Sequence, residues 1–221
     1  MTYTLIFLAV VMASVIGWLL RQSLNIQPWE ANDPLENRPG RGMLNIDPAK
    51  VGLWSFIAVV TSLFALFLSA YMMRMKLADW RPLDEPGLLW VNSVVLVLAS
   101  IAFQLTRGAA RRAQPLTVKV GLLVGGACTI LFLGGQLVAW QQLNADGYFM
   151  SSNPANSFFY LLTALHGLHL LGGLWVWART TFRMFSGADA QSVRLSVELC
   201  TTYWHYLLLV WIGLFALLLS T

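Results

Sequence analysis

The stretch that decides the fold is Val120-Gly121-Leu122-Leu123-Val124-Gly125-Gly126-Ala127-Cys128-Thr129-Ile130-Leu131-Phe132-Leu133-Gly134-Gly135-Gln136-Leu137-Val138-Ala139-Trp140, which holds no charged side chain. At 1.5 Å per residue, a helix of this length covers a hydrocarbon core of roughly 30 Å. It is continuously apolar. A strand of a membrane barrel would alternate apolar and polar positions. Five more runs read the same way: Tyr3 to Leu20, Val51 to Met73, a run from just after Pro86 to Thr106, Phe158 to Ala178, and Leu199 to Leu219. The sequence therefore predicts an all-α, polytopic membrane bundle of about six transmembrane helices.

Composition agrees. The 221 residues are 57% hydrophobic and 11% charged, against roughly 45–50% and 25% for a soluble domain. That excludes an ordinary water-soluble globule and a disordered chain. Cys128 and Cys200 both lie inside apolar runs, which excludes a disulfide scaffold. The net charge of +4 is a record of topology rather than a nucleic-acid footprint. The run at 3–20 reads as a retained helix, because no Lys or Arg precedes it and Arg21-Gln22 is a poor cleavage site.

Basic residues collect on the cytoplasmic side of a membrane protein. Arg107, Arg111, Arg112 and Lys119 follow the third run, and Arg179, Arg183 and Arg194 follow the fifth. The segment from Asn144 to Ser157 has no base. Both termini are therefore expected outside. Arg74, Lys76 and Arg81 argue mildly the other way, and Asp79, Asp84 and Glu85 balance them. The one long connection, Arg21 to Lys50, is polar and divides the chain into residues 1–50, a first helix with a cytoplasmic connection, and residues 51–221, a five-helix bundle. No internal repeat of the transporter type is visible. Gly121 and Gly125 at GxxxG spacing, then Gly126, Gly134 and Gly135, and Gly167, Gly172 and Gly173 on the fifth run, mark close helix contacts.

Ionisable groups at membrane depth are costly and point to function. The chain has three histidines, His166, His169 and His205, and one acid, Glu198, opens the sixth run. His166 and His169 lie three apart and Glu198 and His205 seven apart, so each pair shares a helix face. Two facing helices would then gather three imidazoles and a carboxylate. Imidazole suits a transition metal or haem, and His166 with His205 is the pair that would span a bundle. A di-iron carboxylate site needs several acids and fails. The alternatives are an interhelical hydrogen-bond cluster and a polar site for a lipid head group or a proton path. No phosphate loop, CxxC pair or hydrolase motif is present. Trp80, Trp90, Trp140, Trp175 and Trp177 fall near predicted ends, as in an aromatic belt. Trp54, Trp204 and Trp211 lie deeper.

The last two runs carry a more specific pattern. Ser157-Phe158-Phe159-Tyr160-Leu161-Leu162-Thr163-Ala164-Leu165-His166-Gly167-Leu168-His169-Leu170-Leu171-Gly172-Gly173 resembles the HGxH segment of subunit III of haem-copper oxidases. Glu198-Leu199-Cys200-Thr201-Thr202-Tyr203-Trp204-His205-Tyr206, continuing to Val210-Trp211, is similar to that family's last helix. Asp79-Trp80-Arg81-Pro82-Leu83-Asp84-Glu85-Pro86 with Leu89-Trp90-Val91-Asn92 looks like its third/fourth-helix turn, and Gln136 falls where the family has a glutamine. The resemblance covers about residues 50–221.

It implies an all-helical accessory subunit with no redox metal of its own, with haem and copper in partner subunits; the partners are subunit I directly, then subunit II and other oxidase or respiratory supercomplex subunits. The accessory subunit packs on subunit I, holds phospholipid in a cleft, and supports proton uptake. The complex would sit in a bacterial plasma membrane, reduce oxygen with electrons from cytochrome c, and pump protons. The family commonly has seven helices. Six here would mean that residues 3–20 replace its second. Three acids that the family often carries are replaced by Val60, Ala139 and Leu208. The residues carried over as interhelical or lipid-associated are His166, His169, Glu198, Tyr203, Trp204, His205, Trp54 and Gln136. Rival readings are the related accessory protein of nitric-oxide reductase systems, a haem-binding membrane redox protein using His166 and His205, and a small transporter.

Overall fold

A computed structural model describes residues 47–82, 87–189 and 191–220. The expected first span and most of its connection, residues 1–46, lie outside the described residues. The compact unit begins at Asp47 and contains five helices: α1 (Pro48–Arg74), α2 (Leu88–Arg111), α3 (Pro115–Ala145), α4 (Pro154–Phe185) and α5 (Arg194–Leu219). Each is long and apolar enough to cross a membrane.

The helices outrun the apolar stretches that announce them. α2 continues past Thr106 to Arg111, and α3 starts at Pro115 rather than Val120. The basic segment between them is thus mostly helix. A helix does not end where the hydrocarbon ends, because its backbone is satisfied internally at any depth and Arg and Lys reach into the interface. Only a tight corner separates α2 from α3. Ala113 adopts a left-handed conformation (φ 52°). The Gln114 N–H donates to Ala109 O at 3.1 Å and the Ala113 N–H to Ala110 O at 3.3 Å, the paired bonds that close a helix C-terminus. Pro115 then opens α3, where its missing N–H costs nothing.

Glycine brings α2 and α3 together along their length. A Cβ on Gly121 would lie 2.0 Å from Thr106 Oγ1, one on Gly125 2.8 Å from the Phe103 ring, and one on Gly135 2.0 Å from Asn92 Oδ1. This antiparallel pair is the most extensive contact of the unit, followed by α2 with α5. The expected small-residue contacts are therefore specific: Gly121 and Gly125 face α2, whereas Gly126 faces α4 and admits the indole of Trp177. Gly134 and Gly172 have open space where a side chain would be. Trp140 and Trp177 also turn inward, their Nε1 atoms donating to Thr163 Oγ1 (3.1 Å) and Leu122 O (2.8 Å). Trp175, 78% exposed, and Trp90, 57% exposed, face outward as belt residues do.

The main core lies among α2 to α5. A second cluster of Val60, Phe64, Tyr71, Leu162 and Leu214 fastens α1 to α4 and α5. The pattern is inverted relative to a water-soluble protein. Leu66, Leu116 and Phe182 face outward, while Asn92, Thr129, Gln136, His166 and Thr201 are buried. Buried hydroxyls return to the carbonyl four residues back, as Thr106, Thr129, Thr163 and Thr201 do, which satisfies them inside the helix. At one end, Asn153 caps α4 through Ala155 N and clasps Arg81 through both its backbone groups, and Arg74 pairs with Asp79. The Arg74 side chain holds the Asp79 carboxyl below its ordinary range. At the other end, Lys119 of α3 sits over the Phe185 ring of α4.

Candidate functional site

The residues expected to converge are spread over four surroundings. His166 is fully buried. Its ring lies 5.3 Å from Trp211 and 5.9 Å, edge-on, from Phe132, so it wedges α4 against α3 and α5. Neither ring nitrogen has a hydrogen-bond partner among the described residues, and the same holds for both side-chain polar atoms of the buried Gln136 and for Asn92 Nδ2. Trp140 is level with Thr163, and Leu133 with Gly167. That register puts Gln136 at the depth of His166. Trp211 in turn donates to Ser93 Oγ at 2.9 Å.

His169 turns the other way. Its ring lies 5.5 Å from Phe64 and 6.3 Å from Phe56 of α1, its Nδ1 is 2.8 Å from Leu165 O, and its carbonyl accepts from Tyr203 OH at 3.2 Å. His205 faces α2, where Ser100 Oγ meets its Nδ1 and Gln104 Oε1 accepts from Nε2 at 3.1 Å. The reason for the divergence is geometric. Positions three apart on a helix differ by about 60° in azimuth. On an element flanked on both sides that is enough to select different neighbours.

Glu198 sits at the end of the bundle and ties three helices. Its carboxylate lies 3.1 Å from Arg111 Nε of α2, 3.6 Å from Lys50 Nζ of α1, and 3.7 Å from Arg194 Nε of α5. Its side chain is 12% exposed, while the three bases are about half exposed. One negative charge thus meets three positive ones at a helix end. His205 lies two turns along from Glu198, about 10 Å further down the helix, so sharing a face does not bring the two together.

Between α1, α4 and α5 opens an apolar cleft of about 660 Å³. Leu53 and Phe56 line one wall, Leu168, His169 and Gly172 a second, and Leu199 and Tyr203 the third. Its lining is almost wholly apolar, with the His169 ring at its edge. Trp204 closes the floor, donating from Nε1 to Thr129 Oγ1 at 2.9 Å and packing 4.4 Å from the Phe103 ring. Trp54, 61% exposed on α1, lies outside the lining. Leu53 and Leu199 bring the cleft within one turn of Lys50 and Glu198.

Among the described residues, no three His, Cys, Asp or Glu side chains are grouped to hold a metal ion. His166 and His205 do not fit as a haem pair. The first is enclosed by two aromatic rings, the second is held by α2, and the cleft is lined by neither. Sequence reasoning missed Ser100 and Gln104 and the three bases around Glu198. Their signal was present, since Ser100 and Gln104 are polar side chains four apart in an apolar run.

The chain matches the family described as Cytochrome c oxidase subunit III over residues 50–220, the five-helix unit almost to its ends. It is 31% identical over 189 residues to the probable cytochrome c oxidase subunit 3 of Mycobacterium leprae, covering 82% of this chain and 89% of that protein. It is 28% identical over 172 residues to the cytochrome c oxidase subunit 3 of Synechocystis sp., covering 75% and 72%. Five apolar helices, the histidine pair on α4 and the Glu198–His205 helix thus fall inside one matched segment, and the chain belongs to the cytochrome c oxidase subunit III family.

Proposed function

We propose that this chain is the non-redox subunit III of a proton-pumping haem-copper terminal oxidase in a bacterial plasma membrane, where the complex reduces oxygen to water with electrons from cytochrome c. It packs beside subunit I, within reach of subunit II, and stabilises the catalytic core. The basic α2–α3 and α4–α5 connections face the cytoplasm. The observation that carries the reading is the coincidence of the family match with the five-helix unit. The dispersal of the three histidines into packing and hydrogen-bonding roles supports a structural part for this chain, with haem and copper carried by its partners.

A second function follows from the cleft. Its apolar walls suit acyl chains, and Lys50, Arg111 and Arg194 around Glu198 leave an excess of positive charge beside its mouth. The chain holds an anionic phospholipid there, head group on the bases and tail along Leu53, Phe56 and Leu168.

Reduced-minus-oxidised spectra test the reading. The tagged chain alone should give no haem bands, and the complex drawn from native membranes in mild detergent should give them. Bands in the isolated chain would assign the histidines as ligands and overturn it.

A further inference from the structure

The three buried or packed faces of the polar residues leave one that points out of the bundle at membrane depth. His205 is exposed, and it stands about 16 Å from the Arg194 end of α5, near the middle of that helix. Beside it on α2, Gln104 is exposed too. Their neighbours on this seam are apolar and outward: Ile101 is 50% exposed, Leu105 64% and Leu209 68%. Other outward residues at mid-depth are apolar, as Ile130 and Leu131 on α3 and Leu168 and Leu171 on α4 are, or are hydroxyls returned to their own helix, as Thr61 and Ser62 on α1 are to Ile57 O and Ala58 O.

The hydrogen-bond order along the seam is fixed by chemistry. Gln104 Oε1 can only accept, so His205 Nε2–H donates to it. In the neutral imidazole Nδ1 then accepts from the Ser100 hydroxyl. The relay ends on the Gln104 amide nitrogen, whose two donors have no partner among the described residues. One turn toward the Glu198 end, half-buried Arg107 has a buried Nε without a hydrogen-bond partner. This edge therefore presents the two Gln104 amide donors, with the positive charge of Arg107 one turn away. Acyl chains offer nothing to such groups, and hydrocarbon makes unpaired donors costly.

We propose that the α2–α5 seam at Ser100, Gln104, Arg107 and His205 receives a transmembrane helix of another oxidase subunit. That helix supplies an acceptor to the Gln104 amide at mid-membrane, and a carboxylate or carbonyl to Arg107 one turn away. The inference rests on the subunit reading above and adds the docking face and the chemistry of the partner. Polar contacts between helices are a common means of fixing register in lipid.

The test uses the intact complex in native membranes. Ile101→p-benzoylphenylalanine leaves the polar relay untouched and places a photocrosslinker on the seam. The same substitution at Trp175, outward on α4, is the control. Position 101 should couple to another membrane subunit beside a residue with a side-chain or backbone acceptor, and position 175 should not. Gln104→Leu should lower the fraction of this chain retained through detergent purification by about threefold, the usual effect of one interhelical hydrogen bond. Adducts at 101 confined to phospholipid, or to residues 1–46 of this same chain, would overturn the proposal, as would unchanged retention of Gln104→Leu. If the wild-type chain brings down no haem-copper subunit, the subunit reading fails and this inference with it. If it does and position 101 finds only lipid, the docking face alone is wrong.

Discussion

At the scale of single residues, the feature with the most structural consequence is Glu198. Among the described residues it is the only acid within 4 Å of Lys50, Arg111 and Arg194 together, and it joins the starts of α1 and α5 to the end of α2. Each ion pair has a half-exposed base, and such a pair contributes well under 1 kcal/mol on average. The network differs from isolated pairs because removing the carboxylate leaves three cations near one another, with Asp47, 3.6 Å from Lys50, as the remaining acid beside them among the described residues. Glu198→Gln keeps the shape and removes the charge, so it should destabilise the subunit by about 1–2 kcal/mol. In thermal dissociation from the complex that is a fall of about 3–6 °C. Raising salt screens the wild-type attraction and should narrow the gap; a gap that widens with salt would argue against the ionic account. The acid itself was evident in the sequence, at the start of an apolar run. Its partners were not, because Lys50 and Arg111 lie 148 and 87 positions away in the chain. The histidines teach the same lesson. A helical wheel gives the direction in which a side chain leaves its own helix, whereas the neighbour it meets depends on the arrangement of all five.

At the scale of elements, the five apolar runs from Val51 onward all became helices, and the sequence erred only at their ends. Hydropathy measures where lipid stops, and it stops before the helix does. The corner between α2 and α3 illustrates what was hidden. Nothing in Arg112-Ala113-Gln114 signals a left-handed residue, since Gly is the usual occupant. Ala113→Gly should therefore stabilise the hairpin by about 1 kcal/mol, read as a raised dissociation temperature. The glycines of α3 were legible as contact-makers, but their targets were not. Gly126 is the one that faces an indole ring. A Cβ there would lie 2.1 Å from the Trp177 ring, which is held by its bond to Leu122 O. Gly126→Ala should cost about 1–3 kcal/mol, and Trp177→Phe should recover part of that loss by making room. Equal stability of Gly126→Ala and wild type would mean that α3 and α4 are not packed as closely as this contact requires.

At the scale of the whole five-helix unit, the arrangement is asymmetric. α2 to α5 form a core with its glycine seams and buried hydroxyls, whereas α1 joins it through Ile57 and a second, smaller cluster and leaves a cleft beside it. That asymmetry separates two glycines that are adjacent in sequence. Both line the cleft, but Gly172 has open space at its Cβ position, while a Cβ on Gly173 would lie 3.0 Å from Tyr203 and 3.1 Å from Trp204. Gly172→Leu should fill the cleft and leave the helix contacts intact. The complex should then lose one tightly retained phospholipid by mass spectrometry of the lipid extract, without a fall in thermal stability beyond that of lipid loss. Gly173→Leu should instead part α4 from α5 and lower stability outright. The head group tests the charge half of the reading. A basic residue near an anionic membrane surface contributes about 1 kcal/mol, so Lys50→Ala should reduce the preference for anionic over zwitterionic lipid by about fivefold. An unchanged lipid count in Gly172→Leu would show that the cleft is not where lipid is held. An unchanged preference in Lys50→Ala, with the lipid still bound, would leave the cleft as the tail site and remove Lys50 from head-group recognition.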